Sequence, residues 1–177
     1  MAGHNKWSQI KRQKGAEDGK KSKLFGILAK TISVEAKKAN GDRNLPGLRT
    51  AIEKARTANM PNENIDRAIK NATDKGGAEL QEVLYEVYGP GGVAILIEGI
   101  TDNNNRTNQE IKHLLAEHGG NLATPGSVTW AFKKINNTDW TAEMTTEVGT
   151  EDREKINILL EELESHEDIK KIVTNLA

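Results

Sequence analysis

The chain has 177 residues, which suits one large or two small domains, and it has no cysteine, which excludes disulfides, thiolate zinc sites and cysteine nucleophiles. Its net charge of −1 conceals an asymmetry, because residues 1–75 carry a balance of +9 and residues 76–177 a balance of −10. Such a division predicts two units with different partners, a basic one that attracts phosphates and an acidic one that repels them.

No apolar run in the sequence approaches the roughly 20 residues that a membrane-spanning helix needs. Residues 1–7 contain no apolar signal core, and Glu17 and Asp18 fit poorly with a transit peptide. The sequence therefore predicts a cytoplasmic protein with no membrane partner.

The first 21 residues are predicted to form a basic arm with few apolar positions at helical spacing. Cations in such an arm neutralise phosphates and give affinity that falls with salt, although an ordinary solvated face is the alternative. Trp7 lies among them and could stack a base, but anchoring on a helical bundle is the commoner role of such a ring. The predicted nucleic-acid contacts in the arm and directly after it are Lys6, Trp7, Lys11, Arg12, Lys14, Lys20, Lys21 and Lys23.

Three helices are expected next. Apolar residues recur at three- and four-residue spacing from Ser22 to about Ala39, again from Leu45, and again over residues 65–72. Pro46 is tolerated because it falls in a first turn. Short helices with alanine-rich contacts predict a small bundle with a modest core, which should be mobile relative to the rest of the chain. Together with the basic charge, this bundle is interpreted as a helical nucleic-acid-binding domain over residues 1–77.

After Gly77 the apolar period switches to two. Val83, Tyr85 and Val87 alternate with more polar positions, and an apolar run over residues 93–97 predicts a second, more deeply buried strand. The glycine-rich segment 89–92 between them lacks the Gly-Lys-Ser/Thr ending of a phosphate loop and leads into a strand, so it is interpreted as a hairpin turn.

The rest of the chain predicts a helix over residues 102–118, strands over 127–133 and about 140–148, a helix capped by Thr150, and an edge strand over 169–176. The order β-β-α-β-β-α-β contains the split βαβ arrangement of ferredoxin-like folds. The predicted fold class is α+β, with an N-terminal three-helix bundle followed by a ferredoxin-like α/β sandwich domain, which is acidic and covers residues 78–177.

The strand-to-helix junction at residues 102–107 is unusually polar. Asn and Asp there would satisfy free backbone amides at a helix start, which is the capping interpretation. The functional interpretation is an RNA or ribosome contact made by Asn104, Asn105 and Arg106.

Motifs of catalysis do not emerge from the sequence. The four histidines have no convergent metal spacing, and His113 and His118 are five residues apart, on different faces of a helix. The carboxylates of the second half follow helix surfaces, and no Gly-x-Ser-x-Gly motif occurs. The chain is therefore predicted not to be an enzyme, with no cofactor, metal or small-molecule substrate.

Five motifs occur in order along the chain: Met-Ala-Gly-His-Asn-Lys-Trp-Ser-Gln-Ile-Lys (1–11), Asn-Met-Pro (59–61), Tyr-Gly-Pro-Gly-Gly-Val-Ala (88–94), Thr-Asp-Asn-Asn-Asn-Arg-Thr (101–107) and His-Gly-Gly-Asn-Leu-Ala-Thr-Pro-Gly-Ser-Val (118–128). With them the chain resembles the YebC-like family over residues 1–134 and again over 147–177. The resemblance implies a helical N-terminal domain followed by α/β domains, without known catalysis. It also implies contact with nucleic acid, either as a DNA-binding transcriptional regulator or as a ribosome-associated factor that relieves stalling.

The chain departs from the family pattern in one place. The family usually carries a further α/β domain between the strands at 127–133 and 141–148, where this chain has only residues 134–139. The two strands would be hairpin neighbours, so the domain could be absent without breaking the sheet.

Three hypotheses remain: a translation factor that binds ribosomal RNA, a DNA-binding transcriptional regulator, and a protein adaptor that acts through the acidic domain. Lysines in an arm suit backbone contact better than base readout, which favours RNA or non-specific DNA.

Overall fold

The computed structural model describes residues 3–74, 76–77, 79–136 and 139–177, and for residues 3–13 it describes the backbone alone. The chain divides into two compact units, Met1–Ala78 and Glu79–Ala177. The first is built from helices and the second from strands and helices, so the predicted α+β class is confirmed.

The first unit contains α1 (Gly3–Lys38), α2 (Pro46–Thr57) and α3 (Asn62–Thr73). Pro46 begins α2, where its missing N–H costs no helical hydrogen bond. Asn40 and Gly41 follow α1 with φ of 48° and 80°, the left-handed backbone that ends many helices. The three-helix bundle predicted from the apolar period is confirmed.

The core of this bundle is assembled from small and aliphatic side chains. Ile32 of α1, Leu48 of α2 and Ile65 of α3 are almost completely buried. Alanines such as Ala36 and Ala55 let the helices approach closely, and Phe25 is partly buried at the edge of the cluster. The helical periodicity thus identified the packed part of the unit correctly.

The predicted start of the first helix was wrong. The sequence placed it at Ser22, after a non-periodic arm, whereas α1 begins at Gly3. Apolar periodicity reports which side of a helix packs against something, and a helix that packs against nothing has no such signal. Residues 3–21 of the predicted arm are therefore part of α1.

The second unit contains β1 (Gln81–Tyr88), β2 (Ala94–Thr101), α4 (Asn104–Glu117), β3 (Asn121–Leu122), β4 (Phe132–Ile135), β5 (Asp139–Ala142), α5 (Thr150–Ser165) and β6 (Ile169–Thr174). The main sheet has the order β3-β1-β2-β6, and all neighbours are antiparallel. Since β2 and β3 both run antiparallel to β1, they are parallel to each other, with α4 as the crossover. This is the split βαβ unit that the element order predicted.

The sheet separates two cores. On one face Val87, Ile95 and Ile97 pack with Ile111 of α4 and Leu159 of α5. On the other face Ala94 and Leu96 pack with Val128, Ala131 and Phe132, at the start of the β4–β5 hairpin. The unit therefore has three layers: helices, the main sheet and the hairpin.

Several predicted boundaries differ from the structure. The strand expected over residues 127–133 is a 3-10 turn at Thr129–Ala131 followed by β4. The strand that follows α4 in the main sheet is the two-residue β3, which is too short to give an alternating pattern. Gly149, rather than Thr150, precedes α5 as its N-cap. The turn at Pro90–Gly92 and the pairing of β4 with β5 are confirmed.

Candidate nucleic-acid interface

The exposed part of α1 is the segment that offers charge to a partner. Every side chain of residues 14–22 is exposed, and burial in the bundle core begins only beyond it. At about 1.5 Å per residue, these nine residues extend roughly 13 Å of helix into solvent. Lys14, Lys20 and Lys21 lie on this segment, whereas its only carboxylates are Glu17 and Asp18.

The lysines are distributed around the helix axis. Lys14 and Lys21 are seven residues apart and lie on nearly the same side, whereas Lys20 is about 120° from Lys14 at 100° per residue. The Lys21 ammonium is also 5.5 Å from the centre of the Phe25 ring, which orients its stem along the helix. The segment therefore presents positive charge on more than one side, as a helix surrounded by phosphates would need.

Four of the predicted contacts lie outside the described side chains. The backbone at Lys6, Trp7, Lys11 and Arg12 belongs to α1, but their side chains are not described. Both interpretations of Trp7, base stacking and anchoring, stay predictions. Lys23, the last of the predicted arm contacts, is half-buried and engaged with another group.

Further cations that the sequence interpretation missed lie on α2 and α3. Lys54, Arg56, Arg67 and Lys70 are exposed and form no ion pair with a carboxylate within residues 14–74. Lys54 and Arg56 lie in the last turn of α2, where the helix dipole favours positive charge. In the sequence these cations lie on the polar faces of two amphipathic helices. That pattern is the same for a face that contacts only solvent and for a face that binds a partner.

The polar junction before α4 is a capping structure. The Asn103 side chain accepts a hydrogen bond from the Arg106 amide at 3.1 Å, as expected for an N-cap. Asn104 accepts a hydrogen bond from the Tyr85 hydroxyl at 3.0 Å. Of the three residues predicted to contact RNA or the ribosome, Asn104 and Asn105 are exposed and Arg106 is half-buried.

Arg106 is engaged inside the second unit. Its guanidinium donates to the carboxylate of Asp168 at 2.8 Å, and Asp168 is 1% exposed. The hydroxyl of Thr107 lies 2.7 Å from the same carboxylate oxygen. The hydrogen bond to Asp168 raises the pKa of Arg106, and burial together with the charge of Asp168 raises the pKa of Tyr85. This geometry favours a structural role for Arg106.

A second buried carboxylate organises residues 123–130, which we call the anchored loop. Glu86 is only 6% exposed, and its carboxylate accepts hydrogen bonds from the backbone amides of Gly126 at 2.6 Å, Val128 at 2.8 Å and Thr129 at 3.2 Å. In the alternation along β1, Glu86 shares a face with exposed Glu82, opposite to Val83, Tyr85 and Val87. The acid is buried because the anchored loop covers that end of the strand.

Among the side chains that the structure describes, two groups have donor atoms close enough to hold a metal ion: Glu110 with His166 and Asp168, and Glu117 with His118 and Glu162. In the first group Arg106 already pairs with Asp168 and lies 3.8 Å from Glu110, so a cationic group is present. In the second, His118 lies 3.0 Å from Glu162. The spacing of the histidines alone does not reveal either group, because each group joins residues that are more than 40 positions apart in the sequence.

Within the residues that the structure describes, no helix is both long enough and apolar enough to cross a bilayer.

Both units match models of the same protein family. The model of the TACO1/YebC protein N-terminal domain matches residues 5–75, and the model of the TACO1/YebC second and third domain matches residues 80–137. The second match ends two residues after the last residue of β4, in the stretch of sequence where the family's additional domain was expected.

Two curated relatives are named probable transcriptional regulatory proteins. The chain is 48% identical to that of Pseudothermotoga lettingae, over 86% of this chain and 65% of the relative. It is 42% identical to that of Petrotoga mobilis, over 97% and 73%. The chain spans between about half and three quarters of the length of the curated relatives it matches.

A solved structure has a similar fold. It is the crystal structure of a conserved hypothetical protein from Aquifex aeolicus, with a TM-score of 0.80 and 29% identity, covering 88% of this chain and 90% of that one. The sequence matches across both units and the shared fold agree with the five motifs, and the chain belongs to the TACO1/YebC family.

Proposed function

We propose that this chain is a non-catalytic, nucleic-acid-binding regulator of gene expression that contacts phosphates through the exposed part of α1. The observation that carries the proposal is the segment 14–22, which is exposed on all sides and bears Lys14, Lys20 and Lys21. Lysine ammonium groups neutralise phosphates without regard to base sequence. The names of the relatives, which describe regulatory proteins, support the same class of function.

The finer proposal is a ribosome-associated translation factor that contacts ribosomal RNA and relieves stalling. Lysine is a compact point charge, better suited to a phosphate backbone than to the edge of a base. The net charge of −10 on the second unit repels RNA at long range, so RNA should first approach the basic unit. The expected cytoplasmic location stays a prediction.

A DNA-binding transcriptional regulator is the second candidate, and two observations favour it. The relatives are named probable transcriptional regulatory proteins. In addition, the arm is a continuous helix, and the major groove of B-DNA admits an α-helix whereas that of A-form RNA is deep and narrow.

The proposal is tested by the salt dependence of binding. We expect the full-length variant Lys11→Ala, Arg12→Ala, Lys14→Ala to bind RNA or DNA more weakly. The slope of log affinity against log salt should become shallower by about one unit for each phosphate that the variant no longer neutralises. Lys112→Ala is the matched control, because Lys112 is an exposed lysine in the acidic unit. Affinity and slope equal to those of the wild type would rule out the arm as a phosphate contact.

The choice between the two candidates needs the nucleic acid itself. Crosslinking in growing cells, followed by sequencing of the attached molecules, should recover ribosomal RNA if the chain is a translation factor. Recovery of a set of promoters would instead support the transcriptional regulator. If neither is enriched, the chain is better explained as a protein adaptor acting through its acidic unit.

A further inference from the structure

Trp130 carries an exposed aromatic ring and lies on an ordered loop. Its side chain is 57% exposed, although Ala131 and Phe132 directly after it are buried. Its indole nitrogen donates a hydrogen bond to the Ser127 carbonyl at 2.7 Å, and that carbonyl also accepts one from the Tyr88 hydroxyl at 2.7 Å. The ring is therefore held in one place while most of its surface faces water.

The loop that carries this ring is fixed by the buried carboxylate of Glu86. Three backbone amides of the anchored loop donate to it, two of them directly before Trp130. A ring on such a loop loses little conformational entropy when it binds, which is the advantage of a preorganised site.

Positive charge collects beside this loop, in a unit that is otherwise acidic. Lys133 and Lys134 are exposed on β4, and three residues of chain place the Cα of Lys133 no more than about 11 Å from that of Trp130. Within the described residues of β4 and β5, the only carboxylate is Asp139, and Lys171 of β6 pairs with it at 2.6 Å. Directly after β5, Glu143 is exposed, and its backbone amide donates to the Ala131 carbonyl, so one acidic residue lies beside the two lysines.

The two lysines differ in their surroundings. Lys134 lies 5.0 Å from the centre of the Trp140 ring, its neighbour across the hairpin. Lys133 points to the opposite side of the hairpin from buried Phe132 and carries no ion pair with any described residue. Its charge is available to a partner in solution.

We propose that the anchored loop and β4 form a second contact for single-stranded nucleic acid, in which Trp130 stacks on a base and Lys133 and Lys134 approach phosphates. Exposed aromatic rings beside cations are the common feature of proteins that bind single strands without sequence preference. Exposed Ile135 and Met144 would suit a protein partner. The positive charge of the two lysines favours nucleic acid instead. The inference rests on the proposed function, since it assumes that the chain binds nucleic acid.

The test measures binding of the full chain to single-stranded RNA of roughly 16 nucleotides by fluorescence anisotropy. Trp130→Ala should weaken binding about 5- to 150-fold, the range for removal of one stacked base, and Trp130→Phe should weaken it clearly less. Lys133→Gln with Lys134→Gln should weaken binding and make it less sensitive to salt. Ile158→Ala is the control, because Ile158 is similarly exposed (50%) but lies on α5, on the opposite side of the main sheet from the anchored loop.

A second measurement reads the stacking itself. In the variant W7F/W140F, Trp130 is the only remaining indole, and stacking should quench its fluorescence when RNA saturates the protein. Unchanged fluorescence, or an equal drop in affinity for Trp130→Ala and Trp130→Phe, would overturn the stacking contact.

The arm variant Lys14→Gln, Lys20→Gln, Lys21→Gln separates this inference from the proposed function. If it abolishes binding while Trp130→Ala has the wild-type affinity, the arm stands and the second contact is wrong. If Trp130→Ala weakens binding and the arm variant does not, the second contact stands and the arm is wrong. If the wild type binds neither RNA nor DNA, the proposed function and the second contact are both wrong.

Discussion

Replacement of Glu86 by glutamine tests whether a buried carboxylate holds the anchored loop in place. One carboxylate oxygen accepts from the Gly126 amide, and the other accepts from the amides of Val128 and Thr129. Glutamine has the same shape but only one oxygen. If that oxygen stays with the pair of amides, the new NH2 group faces the Gly126 N–H, and two donors meet.

The expected destabilisation follows from these hydrogen bonds. A hydrogen bond to a charged group contributes roughly 1.5–3 kcal/mol, and the two remaining bonds weaken when their acceptor becomes neutral. Because the Gly126 amide is only partly buried and can turn toward water, we expect Glu86→Gln to lower the free energy of unfolding by about 2–3 kcal/mol. At a denaturant dependence of about 1–3 kcal/mol per molar urea, the midpoint should fall by roughly 0.7–3 M.

Urea titration followed by tryptophan fluorescence is a suitable assay, since two of the three tryptophans, Trp130 and Trp140, lie in this unit. Glu82→Gln is the matched control, because Glu82 lies on the same strand and is exposed, so its change should stay within about 0.5 kcal/mol. If Glu86→Gln unfolds at the same midpoint as this control, the carboxylate does not anchor the loop.

Three further outcomes are expected. Gly19→Ala should increase helicity at 222 nm and stabilise α1 by about 1 kcal/mol, because a Cβ at Gly19 meets nothing within 4 Å; a decrease would contradict a helix through this position. Thr107→Val should destabilise the second unit by about 1.5–3 kcal/mol in urea, because it removes the hydroxyl beside the buried carboxylate of Asp168, and an unchanged midpoint would argue against that bond. Arg106→Gln should lower the thermal midpoint and leave RNA affinity unchanged, whereas weaker binding at full stability would assign Arg106 to the interface.

Residue type and spacing were enough to predict the separation of charge, the packed parts of the three N-terminal helices and the pairing of the second unit's first two strands. These features are local, because each depends on residue type and spacing within one segment. Burial of Ile32 and Leu48 could be predicted from a period of 3.6, and that of Val87 from a period of two. The charge balance needed only a count.

Tertiary structure alone decided which polar side chains are buried and what they bind. Glu86 and Asp168 look like surface acids in sequence, but each is enclosed by groups at least 40 residues away along the chain: Glu86 by the anchored loop, and Asp168 by Arg106 and Thr107. A buried charge is tolerated only where several donors converge on it, and that convergence is set by the packing of distant segments rather than by the neighbours of the residue in sequence.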